Sequence, residues 1–182
     1  MKRILVAGIG NIFFGDDAFG CEVAKVLSRR ELPDGVRVKD FGIRSYDLAY
    51  AIMDDYDATI LVDSTPRGEA PGTLYLIEPE INKLDDEGEE VVNAHSMNPL
   101  RVLQMVGSLG GQSRKVYLVG CEPDVLESED GRMGLSEKIQ AAIEPAVNMI
   151  EKLIANLRGG MPASAFVSEN NQNQIVQSNE DK

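Results

Sequence analysis

Residues 4–20 place the strongest constraint on the fold, because a continuous apolar run passes directly into a glycine-rich loop. Residues 4–9 read Ile-Leu-Val-Ala-Gly-Ile, which is typical of a strand covered on both faces of a parallel sheet. The loop ends in adjacent carboxylates, Asp16 and Asp17, and an amphipathic helix follows. Open α/β sheets bind ligands at the carboxyl ends of such strands, so this loop is a candidate site.

The loop matches neither familiar phosphate-binding motif. A dinucleotide fingerprint needs a third glycine three residues after the second, and this chain has Phe13 there. A P-loop needs Lys and then Ser or Thr after its last glycine, whereas Asp16 and Asp17 follow Gly15. Carboxylates at this position would repel a phosphate, so a nucleotide site is not expected.

Strand and helix patterns alternate along the rest of the chain and predict an α/β fold with a mostly parallel sheet. Only about nine residues separate the third predicted strand from the fourth. A parallel crossover normally takes a dozen or more residues, so the fourth strand is expected to be antiparallel at an edge of a mixed sheet. The predicted strands cover residues 4–9, 36–41, 58–62, 73–77 and 115–119.

Length and composition predict one domain at residues 1–157 and a disordered tail at 158–182, rich in Ser, Asn and Gln. A formal charge of −12 argues against nucleic-acid and anionic-membrane partners. No apolar run approaches transmembrane length. Two cysteines without metal-binding spacing, Cys21 and Cys121, suit a reducing compartment, and they are expected to be small core residues. A cytoplasmic monomer is therefore expected.

Three side chains form the candidate site: Asp17, Asp63 and His95. Asp17 follows the first predicted strand and Asp63 the third, and these strands flank the point where the winding of the sheet reverses. His95, the single histidine, precedes a predicted helix that could bring it to the same crevice. Two carboxylates and one imidazole suit a borderline divalent metal such as zinc or nickel, with open positions for a substrate.

Each residue also has a structural interpretation. Asp16 or Asp17 could cap a helix or interact with its dipole, Asp63 could form a turn, and His95 could be structural or solvated. One cap does not account equally well for both Asp16 and Asp17. A triad hydrolase is a weak alternative, because the sequence has no Gly-x-Ser-x-Gly elbow.

The ordered set of motifs resembles the hydrogenase maturation endopeptidases, which trim the large subunit of nickel–iron hydrogenases. The similarity runs from about residue 3 to 157. Its motifs are Gly8-Ile9-Gly10-Asn11, Asp16-Asp17-Ala18-Phe19-Gly20, Leu61-Val62-Asp63, His95 before a helix, Gly120-Cys121-Glu122-Pro123 and Gly134-Leu135-Ser136.

The resemblance implies a three-layer α/β/α sandwich of the phosphorylase/hydrolase-like type, around a five-stranded mixed sheet with an antiparallel fourth strand. It implies that Asp17, Asp63 and His95 are both catalytic and metal-binding. The metal would be nickel carried by the substrate, and zinc or cadmium could occupy the site in vitro. The partner would be the precursor of a hydrogenase large subunit, which loses a C-terminal peptide after nickel insertion. Asp16, Asp17 or Asp63 could act as the general base.

Two departures from the family pattern concern the reach of the Asp17 side chain, which is one methylene shorter than Glu, and the details of substrate recognition by the second loop. Relatives often carry Glu at the position of Asp17, and their second loop typically reads Gly-Gly-Thr-x-Gly where this chain has Gly42-Ile43-Arg44-Ser45. Two other functions stay open at the level of sequence. One is a non-catalytic nickel-checking chaperone of the precursor, and the other is an aminopeptidase-like hydrolase of small substrates.

Overall fold

The computed structural model describes residues 2–79, 99–111, 114–124 and 134–160. Within these ranges the chain forms five strands and four α-helices, and a short 3₁₀ helix, Gly15–Ala18, precedes the first α-helix. The strands are β1 (Ile4–Ile9), β2 (Val36–Gly42), β3 (Ala58–Ser64), β4 (Leu74–Ile77) and β5 (Lys115–Cys121). The helices are α1 (Phe19–Leu27), α2 (Ser45–Met53), α3 (Pro99–Ser108) and α4 (Glu137–Gly159).

The strands form one mixed sheet in the order β2-β1-β3-β5-β4. β1 pairs in parallel with both β2 and β3, and β3 pairs in parallel with β5. β4 pairs antiparallel with β5 at the edge of the sheet. This pairing confirms the prediction of an antiparallel fourth strand at an edge of the sheet. The connection from β3 to β4 is too short for the helical crossover that a parallel strand would need.

Two hydrophobic cores cover the two faces of the sheet and give the predicted three layers. One core packs α1 and α4 against alternate residues of β1 and β3, including Val6 and Ile60. The other packs α2 and α3 against the opposite residues of the same strands, including Leu5 and Leu61. Because both faces are covered, β1 and β3 are apolar throughout most of their length.

The pairing of β1 with β3 stops before the carboxyl end of either strand, at the place where the sequence predicts a crevice. Their recorded pairs end at Gly8 and Val62. β3 continues beyond that point beside β5, where Asp63 pairs with Gly120. β3 thus ends at Ser64, two residues beyond Val62, the last strand residue predicted from the sequence. These two residues stay in the strand because they pair with β5.

Helix α1 begins directly over this place. A Cβ atom at Gly20, in its first turn, would overlap the carbonyl oxygens of Ile9 and Val62. Only glycine fits there, so the start of α1 is held against the ends of both strands. Gly10 has a φ of +134°, and a Cβ there would overlap the carbonyl oxygen of Asp17. The loop carrying Asp17 is consequently packed tightly onto the end of β1.

Some of the sequence predictions concern residues that lie outside the described ranges. His95 and most of the predicted tail lie outside the described residues, and the domain boundary at residue 157 stays a prediction. In the described part of the chain, none of the helices combines the length and the apolar character that a membrane crossing requires.

Candidate active site

Asp17 lies in the 3₁₀ helix and points its carboxylate back toward the loop after β1. The backbone N–H of Asn11 donates to Oδ2 of Asp17 at 2.7 Å. The side chain of Asn11 in turn accepts from the N–H of Phe13 at 3.1 Å, which fixes the turn that carries this donor. Partial burial raises the pKa of Asp17 and outweighs the opposing effect of the hydrogen bond from Asn11.

Asp63 lies in β3 and is only 5% exposed. Its Oδ1 accepts a hydrogen bond from the N–H of Ser64 at 2.9 Å. Burial raises the pKa of Asp63 well above its ordinary value, and the negative charge of Asp17 raises it further. The structure therefore brings these two predicted site residues within electrostatic range of each other, at the ends of β1 and β3.

The charges of this pair are not compensated within the described residues. No salt bridge there involves either Asp17 or Asp63, although basic side chains pair with exposed acids elsewhere. Burying an unpaired carboxylate is costly, so such a group takes up a proton or binds a cation. The crevice therefore combines the chemistry of a proton acceptor with that of a cation ligand.

Asp16 has a different role from its neighbour. It is 1% exposed, and it accepts hydrogen bonds from the N–H of Ser136 at 2.7 Å, the hydroxyl of Ser136 at 3.1 Å and the N–H of Asp124 at 3.0 Å. Ser136 is the N-cap of α4, so Asp16 connects the 3₁₀ helix Gly15–Ala18 to the start of the last helix. These donors argue against Asp16 as a general base and leave Asp17 as the carboxylate at the crevice.

Asp40 is a further carboxylate near the site that sequence reasoning missed. It lies near the end of β2, and its Oδ1 accepts from the N–H of Gly42 at 2.8 Å. The pKa of the buried Cys21 thiol is raised by burial first, then by Asp40, Asp17 and Asp63. Three carboxylates are thus close enough to Cys21 to raise the pKa of its thiol. The position of Asp40 near a predicted strand end was the only sign of this in the sequence.

Neither cysteine has the properties of a nucleophile, as the sequence predicted. Cys21 is buried and donates from Sγ to the carbonyl of Gly10 at 3.4 Å. Burial raises the pKa of the Cys121 thiol to about 12, with smaller contributions from Asp16 and Glu122. Both thiols are therefore neutral near pH 7, and a neutral thiol is a poor nucleophile.

Arg44, whose role the sequence left open, closes the loop after β2. Its Nε donates to the carbonyl of Phe41 at 3.0 Å, and its Nη2 donates to the carbonyl of Asp40 at 2.6 Å. Arg44 therefore stabilises the segment in which this chain departs from the Gly-Gly-Thr-x-Gly pattern.

The third predicted ligand, His95, lies outside the described residues. Among the residues that are described, no three His, Cys, Asp or Glu side chains come close enough together to hold a metal ion. The structure thus shows that Asp17 lies within electrostatic range of Asp63. The complete ligand set of Asp17, Asp63 and His95 stays a prediction.

Comparison with known proteins identifies the family to which this site belongs. The family model described as hydrogenase maturation protease matches residues 21–153. The chain belongs to the hydrogenase maturation protease family. It is 32% identical over 158 residues to the hydrogenase 2 maturation protease of Escherichia coli K12, covering 86% of this chain and 91% of that protein.

Solved structures of maturation proteases have the same fold. The hydrogenase maturating endopeptidase HybD from E. coli gives a TM-score of 0.70 at 31% identity, covering 87% of this chain and 94% of the other. The hydrogenase 2 maturation peptidase from a Thaumarchaeota archaeon gives 0.64 at 33% identity, covering 85% and 99%. The protein is a hydrolase of the maturation protease class, which processes the precursor of a hydrogenase large subunit. The resemblance found in the sequence is thereby confirmed.

Proposed function

We propose that this maturation protease removes a C-terminal peptide from the precursor of a nickel–iron hydrogenase large subunit after nickel has been inserted. The observation that carries the proposal is the pair Asp17 and Asp63, two carboxylates at one crevice with raised pKa values and no salt bridge within the described residues. Such a pair favours a positively charged ligand, and a metal-loaded precursor supplies one.

His95 completes the proposed ligand set, and it precedes α3, which packs on the same face of the sheet as Leu61. Asp63 alternates with Val62 along β3 and shares a face with Leu61, which packs against the α2 and α3 layer. His95 precedes Pro99, the first residue of α3, by four residues. An extended chain of that length spans at most about 14 Å, and we propose that His95 approaches Asp63 from the start of α3.

The donor set fits nickel as part of the substrate. Carboxylate oxygens and an imidazole nitrogen bind borderline divalent ions, so zinc or cadmium could also occupy the site in vitro. A protease that reads a metal carried by its partner binds the loaded precursor more tightly than the empty one. Specificity then arises from a difference in affinity between the two forms, which acts as a checkpoint in maturation.

Asp63 is the proposed general base, which makes the reaction one of the aspartic type. A general base works best when its pKa lies close to the working pH, and before the metal is bound the raised pKa of Asp63 shifts it in that direction. Asp17, held by the N–H of Asn11, keeps a negative charge beside it and sustains that shift. The substrate's nickel would polarise the scissile carbonyl as a Lewis acid. Asp63 would take the proton from the attacking water.

The decisive experiment is a cleavage assay on the purified large-subunit precursor, run with and without nickel and followed by mass spectrometry. We expect the mass of a C-terminal peptide to be lost only from the nickel-loaded precursor. Binding without any mass loss would instead support a nickel-checking chaperone. Activity on short peptides without a partner would support an aminopeptidase-like hydrolase.

The same assay tests the third ligand. His95→Ala should abolish processing while the fold survives, as judged by circular dichroism and thermal unfolding. Asn93→Ala, in the same segment, is the matched control and should process normally. Retained processing by His95→Ala would remove His95 from the site.

We place the protein in the cytoplasm as a monomer, and the unpaired cysteines Cys21 and Cys121 are consistent with a reducing compartment.

A further inference from the structure

Large apolar side chains are exposed around the crevice on two neighbouring loops and one helix. Each is at least 44% exposed. Soluble monomers rarely expose many such side chains together, and a contiguous group usually marks a binding surface. We call this set the apolar patch, and its members are Ile12, Phe13, Phe14, Ile43, Tyr46 and Tyr50.

The two loops of the patch are joined by their backbones. The N–H of Gly10 donates to the carbonyl of Gly42 at 3.1 Å, which places the segment after β1 beside the segment after β2. Asn11 follows Gly10 directly, and its N–H holds Asp17. Phe13 is therefore only two residues from the donor that fixes the crevice carboxylate, so the patch borders the site.

The helical part of the patch continues from the same loop. Tyr46 and Tyr50 are four residues apart, which places them on one side of α2, and Ile43 lies in the loop just before the helix. The opposite side of α2 is buried in the core through Leu48 and Ile52. The exposed side thus has no packing role in the described fold, while its aromatic rings are suited to contact with a partner.

The charges at the border of the patch indicate what it binds. Asp17, Asp40 and Asp63 lie on the side of the crevice, and Arg44 is engaged with backbone carbonyls and lies 3.8 Å from Asp47. The whole chain carries a formal charge of −12. An apolar surface with a negative border is complementary to an apolar segment next to a cation, and it would be repelled by an anionic bilayer.

We propose that the apolar patch is the docking surface for the nickel-loaded large-subunit precursor. An apolar segment of the precursor would pack on Phe13 and Tyr46 while its metal ion approaches Asp17 and Asp63. This inference rests on the proposed function, and it adds the surface that recognises the partner. Aromatic side chains next to a desolvated centre commonly dominate the binding energy of an interface.

The test compares Phe13→Ser and Tyr46→Ser with Leu109→Ser, an exposed apolar side chain at the far end of α3 that lies outside the patch. Cleavage of nickel-loaded precursor is measured as KM and kcat, and binding is measured separately by calorimetry. Each patch variant should raise KM by about tenfold, with kcat within about twofold of wild type. Leu109→Ser should match wild type. Thermal unfolding shows whether each variant is folded.

The outcomes separate this inference from the proposed function. If wild type cleaves and both patch variants cleave with unchanged KM, the patch is not the docking surface. If wild type binds the precursor through the patch but never cleaves it, docking stands and the proposed function fails. If wild type neither binds nor cleaves, both fail. Concentration-dependent dimers of wild type that Phe13→Ser dissociates, seen by sedimentation, would assign the patch to a second copy of the chain and overturn the proposal.

Discussion

Two buried carboxylates on neighbouring strands behave in opposite ways. Asp63 lies in β3, Glu122 follows β5 directly, and each is 5% exposed. Burial and the nearby charge of Asp17 raise the pKa of Asp63. Burial acts on Glu122 in the same direction, yet hydrogen bonds from Tyr75 and from three backbone N–H groups lower its pKa overall. Equal solvent exposure therefore does not by itself determine the ionisation of these groups.

Part of the difference lies in the number of hydrogen-bond donors that each carboxylate has, and part lies in the stronger desolvation of Asp63. Glu122 accepts from the N–H of Arg67 at 2.8 Å, the N–H of Gly68 at 3.1 Å and the hydroxyl of Tyr75. These donors come from the connection between β3 and β4 and from β4 itself, so Glu122 fixes the edge of the sheet. Asp63 accepts from its neighbour Ser64 and faces another carboxylate. One carboxylate is satisfied by the fold, and the other is left available for a proton or a cation.

The largest expected effect is on catalysis. Asp17→Asn and Asp63→Asn should each reduce kcat/KM for nickel-loaded precursor by about 10²–10⁴-fold, because each removes a charge or a proton acceptor from the reacting centre. Asp34→Asn, in the turn before β2 at the other end of the sheet, is the control and should be unaffected. If Asp17→Asn or Asp63→Asn cleaves at the wild-type rate, that carboxylate has no catalytic role and does not differ from Glu122 in this respect.

The next effect is on stability. Glu122→Ala should lower the free energy of unfolding by about 3 kcal/mol, because it leaves buried N–H groups and the Tyr75 hydroxyl without their acceptor. The measurement is urea unfolding. Glu144→Ala removes an exposed ion pair with Arg30 and should cost no more than about 1 kcal/mol. Equal losses for the two variants would show that Glu122 does not fix the sheet edge.

The adjacent acids Asp16 and Asp17 show the same contrast within one turn: Asp16 is held by hydrogen-bond donors from distant parts of the fold, and Asp17 is left available. Asp16→Asn weakens acceptance from Ser136 and Asp124, so we expect a loss of about 1–2 kcal/mol in unfolding free energy. Its loss of kcat/KM should be much smaller than that of Asp17→Asn. Unfolding and cleavage are measured on both variants. Asp16→Asn should lose mainly stability, and Asp17→Asn should lose mainly kcat/KM. If both variants lose the same property, the two acids share one role.

The sequence predicted the sheet and the Asp17–Asp63 pair because both depend on local patterns. Apolar runs locate the parallel strands, the short link to β4 requires an edge strand, and acids at strand ends meet at one crevice. The different roles of Asp16 and Asp17 could not be predicted from the sequence, since the hydrogen-bond donors to Asp16 are 108 and 120 residues away. The role of Glu122 was equally hidden, because most of its donors are backbone groups that any sequence carries.

The smallest expected effect is the pH dependence of stability at Asp63. Its folded pKa lies above its unfolded pKa, so the native state favours the protonated form. Below the ordinary pKa of an aspartate, about 4, both states are protonated and Asp63→Asn should be as stable as wild type. As the pH rises through the folded pKa, wild type loses stability and the variant does not.

At pH 7 Asp63→Asn should therefore melt above wild type, by roughly 2–4 °C for each kcal/mol that ionised Asp63 costs the native state. Thermal unfolding between about pH 4 and pH 8 measures the effect. Wild type and variant should converge at the acidic end, because the neutral carboxyl and the amide are nearly isosteric. An advantage that is constant with pH would instead reflect packing. An inactive variant more stable than wild type would show that the crevice keeps Asp63 ionisable at the expense of stability.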